Sequence, residues 1–595
     1  MTKSDAVDVK FARDAWVRAL KRTADIERNP DVTLPVLIDR LGTQFDGAPA
    51  LVSGEAAMTY RQLAIRCRQY SRWGLAQGLK PGDAVSLVMP NCAEYLAVWL
   101  GLSRIGVAVA LANTHLTGSF LARSVALVDP KLIIVGAALA PVLAASRIAA
   151  ANAAAVWVHG QSCEDFAHLE PELQKFSGDT LDSAECVPPS IDATALFIYT
   201  SGTTGLPKAA RISHFRILQW SQWFAGLIDI GPQDRMFNCL PLYHSVGGVV
   251  ATGATLVGGG AVVIRPRFSA SDFWRDLRAE RCTLFQYIGE LCRYLVNSAP
   301  QAAEAGHGLR LACGNGLRPD IWEQFRTRFR IPRILEYYAS TEGNFSLYNC
   351  EGEPGSIGRI PAFLTQRLPV ALVRFDVDAG APWRNAAGWC ERCAANEVGE
   401  ALGLIPAATR VGRFEGYADG AASAAKVLRN VFTEGDSWYR TGDLMRRDGR
   451  GFYYFVDRVA DSYRWKGENI STTEVEHALA AARGVRESVV CGVALPGADG
   501  RAGLAALVVD AGFDLGEFRA DVSERLPDFA RPVFLRILPS LASTATFKPR
   551  RRELQEAGVD PASIADPLYV DDVRAGRYVR LDAALYAQIR AGKLR

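Results

Sequence analysis

Short apolar runs alternate with helical hydrophobic patterns through the first part of the chain. The apolar runs cover residues 84–89, 132–135 and 195–199, and helical patterns follow the first two at 93–105 and 137–149. Runs of this length read as buried strands, and longer runs with a 3.6-residue period read as helices. Strand and helix alternation predicts parallel or mixed sheets flanked by helices.

The pattern changes near Asp457. Ser471 and Glu474 have the spacing of a capping box, which predicts a helix that begins there and runs through Ala482. Further on, the pattern predicts strands at 487–495, 503–509 and 533–538 and a helix at 515–526. We therefore predict an α/β protein with a large N-terminal body, residues 1–458, and a small α+β C-terminal domain, residues 459–595.

Composition narrows the class of protein. The 595 residues include 67 Lys+Arg and 64 Asp+Glu, so the formal charge of +3 argues against a dedicated nucleic-acid binder. A hydrophobic share of 49% and a charged share of 22% are ordinary for a globular protein. The uncharged segment Met236 to Ile264 contains Pro241, His244 and several glycines, so we read it as loop, helix and turn rather than as a membrane span.

Cysteine use indicates a reducing compartment. The twelve cysteines are scattered singly apart from Cys390 and Cys393, and residues 1–5 carry no apolar core of a signal peptide. This fits a cytoplasmic protein. The Cys-x-x-Cys pair could be half a zinc site or a redox pair, but no second pair at ligand spacing follows, which favours simple packing.

The segment 199–208, YTSGTTGLPK, has the composition of a phosphate-binding loop. Its glycines can turn backbone N–H groups inward, its hydroxyls add neutral donors and its lysine adds a positive charge. The segment does not match the Walker pattern. The alternative interpretation is a flexible connection between two elements. The candidate nucleotide-binding residues are Thr200, Ser201, Gly202, Thr203, Thr204, Gly205 and Lys208.

Later segments add groups suited to a nucleotide. Residues 337–344, YYASTEGN, place an aromatic face beside a hydroxyl and a carboxylate, and residues 439–444, YRTGDL, offer Asp443 as an acceptor for sugar hydroxyls. Arg458 and Lys548 follow. Each of these residues by itself could have a purely structural role. Together, in this order along the chain, they indicate a function.

That ordered set resembles the adenylate-forming superfamily, which includes acyl-CoA synthetases, nonribosomal peptide adenylation domains and firefly-luciferase-type enzymes. The resemblance runs from about residues 60–63 to the C-terminus. Finer features resemble the fatty acid transport protein and very-long-chain acyl-CoA synthetase branch, and they lie at 312–322, 338–344, 457–458, 463–469, 546–548, 566–569 and 578–581.

The resemblance implies an enzyme that joins a carboxylate to the α-phosphate of ATP and then passes the acyl group to coenzyme A. It implies Mg²⁺ with Glu342 as a ligand, Thr341 on phosphate, His244 near the carboxylate entrance, and Lys548 bridging the carboxylate and the α-phosphate. Tyr338 would stack on adenine. The remaining implied contacts are Gly314, Asn315 and Gly316 with adenine and the carboxylate, and Asp443 and Arg458 with ribose.

The resemblance also implies that the C-terminal domain is mobile. Between the two steps it would rotate, withdraw Lys548 and bring in the turn with Lys466 and Gly467, where a glycine leaves room for the pantetheine arm. The swivel position, two residues after Arg458, is Ala460 here, whereas the wider superfamily often has Asp or Lys.

The acid is predicted to be a long-chain or very-long-chain fatty acid. Trp220, Trp223, Phe224 and Leu227 could line an acyl tunnel, although an aromatic stripe of this kind is more often core. Two alternatives stay open, a sterol side-chain, bile-type or aromatic acid with the same chemistry, and a fatty-acid uptake or trapping protein. We expect no nucleic-acid partner, and peripheral membrane contact is compatible with a lipid substrate.

Overall fold

A computed structural model of the chain describes residues 3–593 except 55, 147, 149–153, 202–206, 377–378, 466–467, 496–499 and 543–549. The chain divides into two compact units. The first contains Met1–Leu364 and Ile405–Val427, and the second contains Thr365–Leu404 and Leu428–Arg595. The predicted boundary at 458/459 lies within the second unit. That boundary concerns a rotation, which one conformation does not test, so it stays a prediction.

A seven-stranded sheet in the first unit carries the candidate phosphate loop. Its neighbours pair in parallel except for the last two strands, which form an antiparallel hairpin. The strands in spatial order are Ala167–His168, Ala155–His159, Leu132–Gly136, Ala84–Val88, Ala108–Leu111, Thr194–Ser201 and Pro207–Ser213.

A second sheet in the first unit is parallel in its interior and antiparallel at its ends. The strands in spatial order are Gly358–Arg359, Ser346–Asn349, Ile334–Ala339, Leu311–Asn315, Leu284–Ile288, Arg235–Asn238, Ala261–Ile264, Pro49–Ser53 and Ala56–Thr59. Parallel strands of this kind are buried on both faces, and most residues of the central strands here are buried.

Helices flank these sheets, as the sequence pattern predicts. The α-helices are Lys3–Thr23, Leu34–Gln44, Tyr60–Ala76, Ala93–Ser103, Gly118–Ala126, Ala140–Ala145, Leu169–Leu173, His214–Leu227, Thr252–Val257, Phe273–Ala279, Gly289–Asn297, Pro319–Arg328 and Gly420–Ala424. Short 3₁₀ turns cover Ala137–Leu139, Ala302–Glu304 and Ala362–Leu364, and a π-helical turn covers Val246–Ala251.

Three of the four residues in the stripe after the phosphate loop are part of the core. Trp223 meets Trp16 of the N-terminal helix edge to face, with ring centroids 5.9 Å apart. Phe224 meets Tyr337 at 4.7 Å, and Leu227 is fully buried. The structure therefore supports the core interpretation of Trp223, Phe224 and Leu227 over an acyl-tunnel lining. Trp220 is half-buried, and the Arg216 guanidinium lies 5.7 Å from its ring centroid.

The second unit contains an antiparallel sheet followed by the C-terminal α+β structure. In spatial order the antiparallel strands are Ala381–Pro382, Val370–Asp376, Gly399–Leu404, Ser437–Arg447 and Phe452–Arg458. The short strand Val427–Arg429 begins at the last residue of the first unit. A hairpin, Tyr463–Trp465 with Glu468–Ile470, comes next in the chain.

The C-terminal sheet agrees with the sequence prediction to within two residues at each predicted strand. Its strands are Val485–Ala494, Arg501–Val509, Phe534–Ile537, Leu568–Asp572 and Arg577–Arg580. The helices are Thr472–Ala480, Leu515–Arg525, Arg551–Ala557 and Ala583–Gln588, with a π-helical turn at Ile589–Lys593. Ser471 caps the first helix by accepting the Glu474 N–H at 3.2 Å.

The uncharged segment from Met236 contains two buried strands, Arg235–Asn238 and Ala261–Ile264, which the loop, helix and turn prediction missed. Short apolar runs do not separate strand from helix by periodicity alone. Within the described residues, no helix is long and apolar enough to cross a membrane.

Cys390 and Cys393 are both free thiols. Cys390 packs in an apolar cluster with Val373 and Trp438, and burial raises the pKa of both thiols. Among the described residues, no group of three or more His, Cys, Asp or Glu side chains is arranged to hold a metal. The packing of Cys390 therefore supports the packing interpretation for that residue, and the interpretation of Cys393 stays a prediction.

Candidate active site

The phosphate-loop motif lies at the end of a β-hairpin. Thr200 pairs with Lys208 across the hairpin, and Ser201 pairs with Pro207. This register places the first and last polar residues of the motif on adjacent strands. Gly202, Thr203, Thr204 and Gly205 lie outside the described residues, as does the side chain of Ser201, so their phosphate contacts remain predictions.

The Thr341–Glu342 turn follows the strand Ile334–Ala339 and lies beside the loop that carries His244. The hydroxyls of Ser245 and Thr341 are hydrogen-bonded at 3.0 Å. His244 is half-buried, its ring lies 4.7 Å from that of Tyr243, and its carbonyl accepts the Gly248 N–H at 2.7 Å. The structure therefore brings the predicted carboxylate entrance next to the predicted phosphate contact.

Arg216 holds the other side of the same turn. Its guanidinium donates to the Thr341 carbonyl at 3.3 Å and to the Arg413 carbonyl at 2.9 Å. The Glu415 carboxylate lies 3.7 Å from Arg216 Nε and accepts the Ser213 N–H and hydroxyl. A buried charge is tolerated when it is paired and hydrogen-bonded in this way.

Tyr417 links Glu342 to the hairpin. Its hydroxyl donates to Glu342 Oε1 at 2.9 Å, and Lys208 Nζ lies 5.5 Å from the centroid of its ring. The Thr200 side chain lies near the same hydroxyl and tends to lower its pKa. Burial and the Glu342 carboxylate raise the pKa of Tyr417, so its hydroxyl keeps its proton at neutral pH.

The donor set at Glu342 fits Mg²⁺ that is held together with a nucleotide. Mg²⁺ is commonly bound by one or two carboxylates plus substrate phosphates rather than by a cage of protein ligands. Glu342 supplies one carboxylate beside the Thr341 hydroxyl, and the described residues offer no larger acidic or histidine cluster. The binding of Mg²⁺ at Glu342 stays a prediction.

The Gly314–Gly316 turn ends the strand Leu311–Asn315 and suits a flat ring. A Cβ on Gly314 would lie 2.3 Å from the Tyr287 ring, and Gly316 has a φ of +80°, so both positions favour glycine. Asn315 Oδ1 is buried and has no hydrogen-bond partner among the described residues. An unsatisfied buried acceptor suits an amino donor such as that of adenine, so this turn fits ATP.

Glu336 holds the Gly314–Gly316 turn in place through hydrogen bonds. Its buried carboxylate accepts the N–H groups of Gly316 and Leu317, the latter at 3.2 Å, and the Tyr287 hydroxyl at 2.5 Å. Burial raises the pKa of Glu336 to about 8, although these hydrogen bonds oppose the shift. The group therefore takes up or releases a proton near neutral pH.

Tyr337 and Tyr338 point to opposite faces of one strand. Tyr337 is buried against Phe224, whereas Tyr338 is half-buried and its ring lies 5.9 Å from that of Phe345. Alternation along a strand explains the difference. Tyr338 thus keeps part of its ring open, as a stacking role on adenine requires.

The second unit pairs the two predicted ribose contacts. Asp443 and Arg458 are partners on adjacent strands, with Arg458 Nε 3.8 Å from Asp443 Oδ1. Buried Glu400 fixes the bend before Asp443, because it binds Arg440 at 2.7 Å and accepts the Gly442 N–H at 3.1 Å. The structure therefore brings this predicted pair together within the unit.

The residues around the predicted swivel are firmly anchored within the second unit. Asp457 accepts the Thr472 N–H at 2.6 Å, and burial raises the pKa of Asp457 to about 6. Asp461, one residue after Ala460, pairs with Arg551 at 2.9 Å. Lys466, Gly467 and Lys548 lie outside the described residues, so their roles stay predictions.

Family models match this chain over both predicted parts. The model described as AMP-binding enzyme matches residues 38–372, and the model described as AMP-binding enzyme C-terminal domain matches residues 474–548. The chain belongs to the AMP-binding enzyme family. The predicted resemblance to adenylate-forming enzymes is thereby confirmed.

Relatives of this AMP-binding enzyme place it in the predicted branch. It is 41% identical over 527 residues to long-chain fatty acid transport protein 3 of Homo sapiens, covering 87% of this chain and 76% of that protein. It is 38% identical over 520 residues to the medium/long-chain-fatty-acid–CoA ligase FadD6 of Mycobacterium tuberculosis, covering 87% and 84%.

A solved structure confirms the fold. The anthranilate CoA ligase AuaEII, solved in complex with anthranoyl-AMP, superposes with a TM-score of 0.76 at 19% identity, covering 90% of this chain and 98% of that one. At this identity the likeness supports the adenylate-forming fold alone.

Sequence reasoning missed three supporting residues of the AMP-binding enzyme. Glu336 and Arg216 are charged residues inside apolar stretches, ILEYYA and HFRIL, and that contrast is a usable signal. Tyr417 gives no comparable signal, because its role depends on contacts with residues 75 and more than 200 positions away.

Proposed function

We propose that this enzyme is an ATP-dependent ligase that joins a long-chain or very-long-chain fatty acid to coenzyme A through an acyl-adenylate, releasing AMP and pyrophosphate. One observation carries the proposal. The hairpin with Thr200 and Lys208, the Thr341–Glu342 turn and the Gly314–Gly316 turn with its unsatisfied Asn315 Oδ1 belong to one compact unit. The relatives named as fatty acid transport proteins and a fatty-acid–CoA ligase support the choice of acid.

The chemistry explains why such a site needs several donors. A carboxylate is a poor electrophile, so it must be activated before the thiol of coenzyme A can attack it. In the activating step the carboxylate attacks the α-phosphate. Because both groups are anions, the site must neutralise charge as it develops. We assign Lys208 and the hydroxyls of the hairpin to the phosphates, with Thr341 beside them. Lys548 would bridge the attacking carboxylate and the α-phosphate. Mg²⁺, held through Glu342, would supply Lewis-acid neutralisation of the phosphate charge.

The other groups position the substrates. Tyr338 would stack on adenine, with the Gly314–Gly316 turn at the edge of the base, and Asp443 with Arg458 would bind the ribose hydroxyls. His244 would lie at the carboxylate entrance. In the second step, rotation of residues 459–595 would exchange Lys548 for the turn with Lys466 and Gly467, so that coenzyme A reaches the adenylate.

A chain-length panel of fatty acids, scored by pyrophosphate release, tests the proposal. We expect release that needs a fatty acid, and thioester only when coenzyme A is present. Bile-type, sterol side-chain and aromatic acids belong in the same panel, and faster turnover of one of them would reassign the acid. No turnover with any acid by a folded preparation would contradict the proposal.

Two variants sharpen the assay. Lys548→Ala should lose pyrophosphate release by about 10²-fold or more while converting supplied acyl-adenylate to thioester at near the wild-type rate, since only the first step uses this lysine. Glu342→Ala should lose pyrophosphate release also. Lys175→Ala, an exposed lysine, is the control. Equal loss of both half-reactions in Lys548→Ala would contradict the assigned role.

The names of the relatives favour one further candidate, a protein that takes up or traps fatty acids. Full fatty-acid uptake by cells that express Lys548→Ala, together with loss of ligation, would support it. We also propose a cytoplasmic location with peripheral membrane contact, because none of the twelve cysteines forms a disulfide and the substrate partitions into bilayers. Fractionation of expressing cells tests that location.

A further inference from the structure

Tyr417 contacts two residues that the proposed reaction uses. Its hydroxyl donates to Glu342 Oε1 at 2.9 Å. Its ring faces Lys208 Nζ at 5.5 Å from the centroid. One side chain therefore contacts both the predicted cation ligand and the predicted phosphate contact.

The backbone holds Tyr417 in place independently of those contacts. Residues 416–418 pair antiparallel with the edge strand Pro207–Ser213, where Arg211 N–H donates to the Gly416 carbonyl at 3.0 Å and Ala418 N–H donates to the Ala209 carbonyl at 2.8 Å. The Tyr417 N–H donates to Ser423 Oγ at 2.8 Å. The side chain is 4% exposed.

We propose that Tyr417 is a positioning residue that orients the Glu342 carboxylate for a divalent cation through its hydroxyl and holds Lys208 for phosphate through its ring. This inference rests on the proposed function for the identity of the bound nucleotide. A group that hydrogen-bonds a ligating carboxylate fixes its orientation, and its removal commonly weakens metal affinity 10- to 100-fold. A ring beneath an ammonium contributes a smaller, direct attraction.

The two roles are separable by substitution. Tyr417→Phe removes the hydroxyl and keeps the ring, whereas Tyr417→Leu removes both. We expect Tyr417→Phe to weaken binding of Mn²⁺ in the presence of ATP by about tenfold and to leave ATP binding in EDTA unchanged. Tyr417→Leu should weaken ATP binding in EDTA by about three- to fivefold as well.

Electron paramagnetic resonance of bound Mn²⁺ and calorimetry of ATP binding give these affinities without any turnover. Tyr578→Phe is the matched control, because Tyr578 is a buried tyrosine whose hydroxyl donates to the Pro532 carbonyl at 2.7 Å in the second unit. We expect its Mn²⁺ and ATP affinities to equal those of the wild type. Circular dichroism and the urea midpoint establish that each variant is folded.

A double-substitution cycle separates positioning from a general structural effect. In a Glu342→Ala background, Tyr417→Phe should change Mn²⁺ affinity by less than twofold, because the group through which it acts is gone. A tenfold effect that persists without Glu342 would overturn the positioning role. Unchanged Mn²⁺ affinity in folded Tyr417→Phe would overturn it also.

These readouts also separate the inference from the proposed reaction. If Tyr417→Phe binds Mn²⁺ more weakly but the wild type releases no pyrophosphate with any acid, the positioning role is supported and the ligase reaction is contradicted. If the wild type turns over fatty acids but Tyr417→Phe binds Mn²⁺ with unchanged affinity, the ligase reaction is supported and the positioning role is contradicted. Failure of the wild type to bind Mn²⁺ with ATP would overturn both.

Discussion

Glu336 shows how a single buried carboxylate can shape a binding turn. It holds the N–H groups of Gly316 and Leu317, and it lies in the same strand as Tyr338. The groups that face it are the Tyr287 hydroxyl and the neutral side chains of Tyr337, Cys292 and Cys313. With no cation among these groups, desolvation dominates, and the pKa of Glu336 rises to about 8.

This shift predicts a pH-dependent stability. The folded-state pKa of about 8 is above the ordinary value, so the folded protein keeps a proton that the unfolded chain releases at lower pH. The contribution of Glu336 to the free energy of unfolding is therefore full below about pH 4.5 and falls as pH rises to about 8. Between pH 6 and pH 9 we expect the wild type to lose about 2–3 kcal/mol relative to Glu336→Gln.

Urea denaturation of the two proteins at both pH values measures this difference. Glu336→Gln is the matched comparison, because glutamine keeps the shape of the side chain and does not titrate. A difference in unfolding free energy that is the same at pH 6 and pH 9 would contradict the assignment.

Single residues were predictable from sequence where a motif carried them. Thr341, Glu342, Tyr338 and the Gly314–Gly316 turn came from motifs, and the structure places each at a turn or on an open face. Tyr417 could not be found in this way, because its contacts join segments far apart in the chain. The side-chain geometry of Lys548 stays a prediction.

At the level of elements, three strands of the C-terminal sheet were predicted because they have strongly apolar patterns, and its first helix was predicted from its capping residue. The strands Leu568–Asp572 and Arg577–Arg580 were missed. The N-terminal helix Lys3–Thr23 was not predicted. Its partner is the helix His214–Leu227, about 200 residues away, and Arg18 donates to the Gly226 carbonyl at 3.0 Å. A helix whose apolar face meets so distant a partner is specified by packing more than by local signals.

Gly226 lets these two helices approach closely. A Cβ at this position would lie 2.5 Å from both the N and Cα atoms of Ala19, which are backbone atoms that cannot turn away. Overpacking of this kind costs about 1–3 kcal/mol and outweighs the gain of about 1 kcal/mol in helix propensity. We therefore expect Gly226→Ala to lower the free energy of unfolding by about 1 kcal/mol or more.

Gly231→Ala provides the comparison, since an added Cβ there meets no atom within 4 Å. Urea midpoints of both variants measure the effect, and Gly231→Ala should stay within about 0.5 kcal/mol of the wild type. If Gly226→Ala raised the free energy of unfolding, the two helices would have to separate easily, and the prediction of close packing at Gly226 would be contradicted.

At the scale of the whole molecule, the fold class and the family were predictable because several short motifs occur in a fixed order. The division into compact units depends on packing, because residues 365–404 and 428–458 fall with the C-terminal residues rather than with the N-terminal body. The domain boundary predicted at 458/459 stays a prediction. Residues 365–404 and 428–458 form antiparallel strands with their own buried cluster around Val373 and Trp438. Hydrophobic pattern alone does not show which neighbouring cluster a strand joins.

The proposed reaction depends on the formation of an acyl-adenylate. Incubation with ATP labelled at the α-phosphorus and a long-chain fatty acid, without coenzyme A, should give a labelled lipid-linked nucleotide that coenzyme A then converts to free labelled AMP. Lys548→Ala should form about 10²-fold less of it, or less still. Absence of any labelled acyl-nucleotide in a folded wild-type preparation, across the whole panel of acids, would contradict the account.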